Sequence, residues 1–117
     1  MDFQQQCQEL FDVYVSFYRA GDAKGCASLF AMDAEMYSPF GPPAIGREAI
    51  EATHAEWLTE DAGDKEIIVL SAGHDGNLGW CLARFSEGTE GVGFNLSVLA
   101  MQPDGRWAIT RCSLNEG

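Results

Sequence analysis

The sequence lacks any long apolar stretch. None of its hydrophobic runs approaches the roughly 18 residues that a membrane-spanning helix needs. Its first ten residues, MDFQQQCQEL, also lack the basic segment and the apolar run of an export signal. We therefore expect a cytoplasmic protein with no membrane among its partners.

Positive charge is scarce as well. Eighteen acidic residues stand against seven basic ones, which gives a formal net charge of −11. A surface of this charge repels phosphate backbones and anionic lipid headgroups. We therefore expect no nucleic acid partner, and we interpret the charge as that of a well-solvated surface.

Motifs for metals and disulfides are missing too. The chain has four cysteines, Cys7, Cys26, Cys81 and Cys112. They lie far apart, form no CxxC pair and are accompanied by no histidine cluster, as a zinc site would require. A chain of 117 residues can bury a sufficient core without such staples. We expect reduced, buried thiols of the kind found in the cytosol, with no metal and no cofactor.

Helical spacing dominates the first half of the chain. Apolar residues at steps of three and four predict a first helix over 3–18, with Asp2 as its N-cap. Its inward positions are Phe3, Cys7, Leu10, Phe11, Tyr14, Phe17 and Tyr18. A short second helix is predicted to end near Asp33, and a third to run from Arg47 to about Glu60.

The second half is typical of β-structure. Short runs rich in β-branched and aromatic residues are divided by the turn sequences HDGN, EGTEG and QPDG. The predicted strands are 65–72, 78–87, 92–101 and 106–114. Short loops between them favour a four-stranded antiparallel meander. Helices followed by strands, with no linker or repeat, indicate one α+β domain over residues 1–117.

Both faces of the predicted sheet are apolar. Alternation assigns one face the residues Trp80, Leu82, Phe94, Leu96, Val98, Trp107 and Ile109. It assigns the other face Cys81, Ala83, Phe85, Asn95, Ser97, Leu99, Met101, Thr110, Cys112 and Leu114. Three helices cover only one face of such a sheet, so we expect a homodimer that buries the other.

Three stretches carry a resemblance to known proteins: YRAGDAKGCASLFAMDAEMYSPFGPP, GREAIEA and QPDGRWAI. Over nearly its whole length the chain resembles the nuclear transport factor 2-like superfamily and, within it, SnoaL-like and ketosteroid isomerase-like proteins. The resemblance implies a cone-shaped, cystatin-like α+β fold. In that fold three N-terminal helices pack on a curved antiparallel sheet and leave a pocket at its concave face.

Compared with ketosteroid isomerases, the chain carries different residues where the chemistry is done. The resemblance assigns the oxyanion-donating tyrosine to Tyr14, but it assigns the proton-shuttling aspartate to Ser38. A serine hydroxyl does not relay a proton at neutral pH without a base beside it. The second oxyanion donor, an aspartic acid in that family, falls on Ser97 or Asn95, and a supporting tyrosine falls on His54.

The implied pocket leaves three functions open. Its expected members are Tyr14, Phe17, Ser38, His54, Trp57, Leu58, Phe85, Asn95, Ser97, Leu99 and Cys112. We expect it to bind a small, mostly apolar molecule whose carbonyl or hydroxyl group accepts a hydrogen bond from Tyr14. One alternative is an isomerase, cyclase or dehydratase with His54 as base and Tyr14 as acid or electrophile. Another is a protein-interaction module that uses the outer sheet face. A core histidine that merely pairs with Tyr14 would also account for His54.

Overall fold

The first helix follows the predicted spacing. The computed structural model describes residues 1–58, 64–87 and 90–116. Helix α1 spans Phe3–Arg19 and begins at a capping box. The Asp2 carboxylate accepts from the N–H of Gln5 at 2.8 Å, and the Gln5 side chain accepts from the N–H of Asp2 at 3.0 Å. The buried residues of α1 are Phe3, Cys7, Phe11, Tyr14 and Tyr18.

The second helix is shorter than predicted. Helix α2 covers Ala23–Ala27, and strand β1 then runs over Phe30–Tyr37 where the helix was expected to continue to Asp33. The carbonyl of Leu29 accepts a hydrogen bond at 3.1 Å from the N–H of Ile109, near the other end of the chain. Pairing with a distant strand therefore overrides the local helical pattern.

The third helix is anchored to β1. Strand β2, Ala44–Ile45, precedes helix α3, Arg47–Trp57, so two strands separate α2 from α3. The guanidinium of Arg47 donates two hydrogen bonds, of 3.0 and 2.7 Å, to the carbonyl of Phe30. The predicted end of this helix near Glu60 lies outside the described residues. Among the helices described, none is long and apolar enough to span a bilayer.

The remaining strands form the predicted meander inside a larger sheet. They are β3 (Lys65–Asp75), β4 (Leu78–Glu87), β5 (Glu90–Met101) and β6 (Trp107–Glu116). The sheet has six strands in the order β2-β1-β6-β5-β4-β3. Because β1 runs parallel to β6, the sheet is mixed, and the prediction of a wholly antiparallel sheet is wrong at β1. The β1 sequence, FAMDAEMY, has apolar residues spaced in a way that suits a helix equally well.

A bulge in the last hairpin changes the face that two residues occupy. Leu99 pairs with Ile109, and Thr110 is the extra residue where the register shifts. Ile109 is 1% exposed, and the ring of Trp107 packs 4.9 Å from that of Phe3 in the core. Both residues therefore lie on the inner face, contrary to the predicted alternation, because one extra residue inverts the pattern beyond it.

The outer face of the sheet is apolar and exposed. Helices α1 and α3 pack on the inner side, where their buried residues join the core. The outward residues include Ile68, Leu78, Trp80, Phe94 and Leu96, which are between 38% and 58% exposed. They come from three neighbouring strands and form one surface, here called the outer patch.

Candidate functional site

A cavity lies between the helices and the inner face of the sheet. Its volume is about 300 Å³. The residues that line it are Tyr14, Tyr18, Phe40, Trp57, Lys65, Ile67, Phe85, Glu87, Gly91, Asn95 and Leu114. Most of these side chains are aromatic or aliphatic, and a few polar groups interrupt them, which is the usual composition of a small-molecule site.

Tyr14 and His54 form a buried hydrogen-bonded pair. The Tyr14 hydroxyl lies 2.7 Å from Nε2 of His54, and Nδ1 of His54 lies 2.8 Å from the carbonyl oxygen of Ile50. A carbonyl oxygen can only accept, so Nδ1 carries the ring proton and Nε2 is the acceptor. The hydroxyl proton of Tyr14 is therefore donated to His54.

This pairing changes the role expected of Tyr14. Tyr14 reaches the cavity, and because its one proton is committed to His54, its oxygen faces a ligand as an acceptor and not as the expected donor. His54 is fully buried and does not line the cavity. Burial lowers the pKa of His54 to about 4 and raises the pKa of Tyr14 well above its ordinary value. Both groups are neutral at pH 7.

Asn95 supplies a donor that the cavity can use. Its Oδ1 accepts from the Ser97 hydroxyl at 2.6 Å and from the Cys112 thiol at 3.6 Å. With the amide oxygen placed at these two contacts, Nδ2 is the atom left over. Within the described residues, Nδ2 has no hydrogen-bond partner. Asn95 is 6% exposed and lines the cavity, so its amide group can donate to a ligand there.

Lys65, Glu87 and Tyr18 form a charged group in the same lining. Glu87 Oε1 accepts from the Tyr18 hydroxyl at 2.9 Å and lies 3.5 Å from Nζ of Lys65. Nζ also lies 4.7 Å from the ring centroid of Tyr18 and 4.8 Å from that of Phe85. Burial lowers the pKa of Lys65, and the nearby Glu87 carboxylate opposes that shift. An ammonium group is thus held against two aromatic rings inside the cavity.

Four of the predicted pocket residues line the cavity: Tyr14, Trp57, Phe85 and Asn95. Three others lie directly behind it. His54 supports Tyr14, while Ser97 and Cys112 hold the amide oxygen of Asn95. These three residues therefore position a side chain that lines the cavity and do not line it themselves. Of the two alternatives Asn95 and Ser97, Asn95 lines the cavity, whereas Ser97 is 0% exposed.

The other four predicted pocket residues lie elsewhere. The ring of Phe17 packs against Gly25 of α2. Ser38 belongs to a turn, where its hydroxyl oxygen accepts from the N–H of Phe40 at 2.9 Å. Leu99 is fully buried in the core, and Leu58 packs at the core's edge. The side chain of Ser38 thus pairs with its local backbone and does not line the cavity.

The sequence reasoning missed the charged part of the cavity. Lys65 alternates along β3 in step with the buried Ile67 and Val69, so it lies on the same side of the strand as they do. Glu87 likewise lies on the same side of β4 as Phe85. The two residues are also direct neighbours across the strands. A charge at an inward position on each of two paired strands is the signal that could have identified them.

No metal ligand set accompanies these groups. In the described ranges, His, Cys, Asp and Glu side chains are nowhere gathered in threes as a metal ion would need. All four cysteines are free and buried.

Comparison with known proteins identifies the fold. No protein-family model and no curated protein matches the sequence. Solved structures match over most of their length. A ketosteroid isomerase-like protein from Erwinia carotovora atroseptica has 13% identity and a TM-score of 0.76, with 91% of this chain and 89% of that one covered. An NTF-2 like protein of unknown function from Shewanella oneidensis has 13% identity and a TM-score of 0.79, with coverage of 94% and 96%.

A third structure names the architecture. An NTF2-like protein with a cystatin-like fold from Novosphingobium aromaticivorans has 23% identity and a TM-score of 0.68, covering 94% of this chain and 79% of that one. At such identities the likeness concerns the fold. The chain therefore has the cystatin-like fold of nuclear transport factor 2-like and ketosteroid isomerase-like proteins, as the resemblance of its sequence predicted.

Proposed function

We propose that the protein binds a small, mostly apolar molecule in the cavity. The observation that carries this proposal is the amide nitrogen of Asn95, which has no hydrogen-bond partner among the described residues and lies in a mostly apolar lining. A ligand carbonyl would accept from Asn95, and a ligand hydroxyl would donate to the oxygen of Tyr14. Buried polar groups of this kind select a ligand that pairs with them, because an unpaired donor costs about 1–3 kcal/mol.

Binding of a small aromatic ketone tests the proposal. We expect 2-acetonaphthone to raise the melting temperature and to give a measurable dissociation constant by calorimetry. Replacing Asn95 by leucine removes the donor, and a companion Ser97→Ala change removes the hydroxyl that would lose its acceptor. This double variant should bind the ketone about 3- to 10-fold more weakly, the value of one net hydrogen bond.

The chain offers a matched control for that experiment. Asn115 is an exposed asparagine on β6 that pairs with the outward-facing Phe94. Asn115→Leu should leave ketone affinity unchanged. Equal affinity in the Asn95 variant and the parent would show that Asn95 is not the donor. If 2-acetonaphthone and a panel of similar small ketones, aldehydes and phenols all leave the melting temperature unchanged, the binding proposal is wrong.

A second candidate is chemistry by an isomerase, cyclase or dehydratase. The observation in its favour is the 2.7 Å contact through which Tyr14 could pass its proton to His54 while accepting one from a ligand. A pKa of about 4 makes a proton on His54 about 3 kcal/mol less favourable than on an exposed histidine. The same ketone samples prepared in D2O separate the candidates. Protein-dependent exchange of the ketone's methyl protons, lost in Tyr14→Phe, would favour chemistry over simple binding.

We also propose that the outer patch is the interface of a homodimer. Five large apolar side chains exposed together on three neighbouring strands are unusual on a monomer, and a stable interface buries about 800 Å² per partner. The parent should sediment as a dimer at micromolar concentration. Leu96→Lys places a charge in the patch and should give a monomer, whereas Val13→Lys, at an exposed apolar position of α1, should not. A monomeric parent would contradict the dimer and favour the protein-interaction module instead.

We propose the cytoplasm as the place of action. The four cysteines are free, and Cys7, Cys26, Cys81 and Cys112 are all buried. Burial raises the pKa of Cys26 and of Cys112 to about 12, so these thiols stay protonated and unreactive. A reducing compartment suits such a chain.

A further inference from the structure

The cavity contains an amine that the binding proposal does not use. Lys65 opens β3 at an inward position, opposite Glu87 on β4. Its backbone is held at this place, because the guanidinium of Arg19 donates two hydrogen bonds, of 3.0 and 2.8 Å, to its carbonyl oxygen. The end of α1 thus fixes the point from which the lysine side chain enters the cavity.

The surroundings of this amine are unusual for a lysine. Lysine is among the residue types that are almost never fully buried unless they are paired. Here Lys65 is 9% exposed, and its partners among the described residues are one carboxylate at 3.5 Å and two aromatic rings. The carboxylate is itself shared with the hydroxyl of Tyr18. Desolvation in such a site disfavours the ammonium form and lowers the pKa of Lys65.

We propose that Lys65 is a nucleophilic amine that captures the carbonyl group of a cavity ligand as an imine. This inference rests on the proposed function, since the ligand must first enter the cavity, and it specifies the ligand class as an apolar aldehyde or ketone. A lysine desolvated in an apolar pocket is an established way to prepare an amine for attack on a carbonyl. The cavity meets that condition with a base beside the amine.

The step balances without any further reactant. Glu87 takes a proton from the ammonium group of Lys65, and the free amine then adds to the carbonyl carbon, which forms a C–N bond. The nitrogen loses a second proton while the carbonyl oxygen gains one, giving a carbinolamine. Return of the proton from Glu87 lets the hydroxyl leave as water, and a C=N bond remains. One carbonyl and one ammonium group become one protonated imine and one water, with no change of charge or oxidation state, and Glu87 is again a carboxylate beside the cation.

An alternative use of Lys65, as an anchor for a ligand carboxylate, is disfavoured by the charges around it. The ammonium is already paired with Glu87, so an incoming anion would meet a like charge within the same group. The chain as a whole carries a net charge of −11, which opposes the approach of anions. A neutral carbonyl compound meets neither obstacle.

The composition of the chain makes the test direct. Lys65 and Lys24 are its two lysines, and Lys24 is exposed on α2. The intact protein is incubated with 2-naphthaldehyde and sodium cyanoborohydride, which reduces an imine to a stable secondary amine. Peptide mapping by mass spectrometry then compares Lys65, Lys24 and the α-amino group. We expect labelling of Lys65 to exceed that of Lys24 by about tenfold or more, because the cavity holds the aldehyde beside the amine.

Two variants and one competitor complete the design. Lys24→Met should keep the full label on Lys65, and Lys65→Met should lose it. The alcohol 2-naphthalenemethanol, which cannot form an imine, should bind measurably by calorimetry to the parent and should suppress labelling of Lys65. Lys65→Met should retain a cooperative urea unfolding transition, which shows that its loss of label is not a loss of the fold.

The outcomes separate this inference from the proposed function. Binding of the alcohol without selective labelling of Lys65 would overturn the imine and leave the binding proposal standing. Equal labelling of Lys65 and Lys24 would overturn it as well. If the alcohol does not bind and Lys65 is not labelled, both proposals are wrong. Saturable labelling of Lys65 that the alcohol suppresses supports both.

Discussion

The free energy of unfolding is expected to fall by about 3 kcal/mol between pH 6.5 and pH 4 because of His54 alone. Burial lowers the pKa of this histidine from 6.5 to about 4, so the folded protein binds fewer protons than the unfolded chain in that window. Its contribution is therefore fully present above pH 6.5 and is lost as the pH falls to 4.

Carboxylates also titrate in this range, so the effect is measured as a difference. The double variant Tyr14→Phe, His54→Leu removes both members of the hydrogen bond and leaves neither buried group unpaired. Urea unfolding at pH 7 and pH 4 should show a parent that loses about 3 kcal/mol more than this variant. The other histidine, His74, is exposed, and His74→Gln should retain the parent's behaviour. Equal acid-induced losses in parent and double variant would contradict the expected burial cost of His54.

The second large effect is expected from Gly93→Ala on β5. A Cβ atom at this position would overlap the backbone oxygen of Asn115 and would lie 2.5 Å from Cζ of Phe85. Relief of the first overlap requires the backbones of β5 and β6 to separate at Asn115, which weakens their ladder. Relief of the second requires a shift of Phe85, which is part of the cavity wall. We expect a loss of about 3 kcal/mol in the free energy of unfolding, together with weaker binding of 2-acetonaphthone.

Gly41 is the matched control for this substitution. A Cβ at Gly41 would meet no atom within 4 Å, and its backbone needs no positive φ. Gly41→Ala should change the free energy of unfolding by less than about 0.5 kcal/mol. Denaturation midpoints of the two alanine variants and the parent provide the comparison. If Gly93→Ala were as stable as the parent, the close packing of Phe85 over β5 would be wrong.

The hydrogen-bonding role of each polar group in the cavity depends on whether its proton is already donated to a neighbouring residue. Tyr14 and Tyr18 both line the cavity, and each donates its proton to a neighbour, His54 in one case and Glu87 in the other. Two aromatic hydroxyls therefore act as acceptors toward a ligand. The available donors are the amide of Asn95 and the ammonium of Lys65. A ligand with a carbonyl group suits both donors, which connects the two proposals made for this cavity.

The spacing of apolar residues was sufficient to predict a helix or strand wherever the residues at that spacing are the ones that the fold buries. The heptad-like face of α1 placed Tyr14 inward, because five buried residues repeat at helical steps. The meander from β3 to β6 followed from alternating residues and short turn sequences. Tyr14, Trp57, Phe85 and Asn95, which the resemblance implied as pocket residues, line the cavity from inward positions of their helices and strands.

Local pattern failed where a distant strand or one extra residue decided the outcome. The sequence around Phe30 suits a helix, yet its backbone pairs with β6. The bulge at Thr110 turned Trp107 and Ile109 inward, and alternation cannot reveal a bulge in advance. Lys65 was passed over because charge normally indicates a solvated position, whereas Glu87 and two rings stabilise it inside the cavity.

The sequence by itself determined the α+β class and the inward face of α1, because hydrophobic periodicity and turn chemistry are local properties. The cystatin-like fold was implied by the resemblance of the sequence to nuclear transport factor 2-like proteins. The tertiary structure decided what the cavity can do. Hydrogen-bond direction depends on which groups meet, and the carbonyl of Ile50 commits His54, and through it Tyr14, to their roles. Tyr14, first expected to donate to a ligand, donates to His54, and folding brings the amide of Asn95 and the amine of Lys65 into the same cavity.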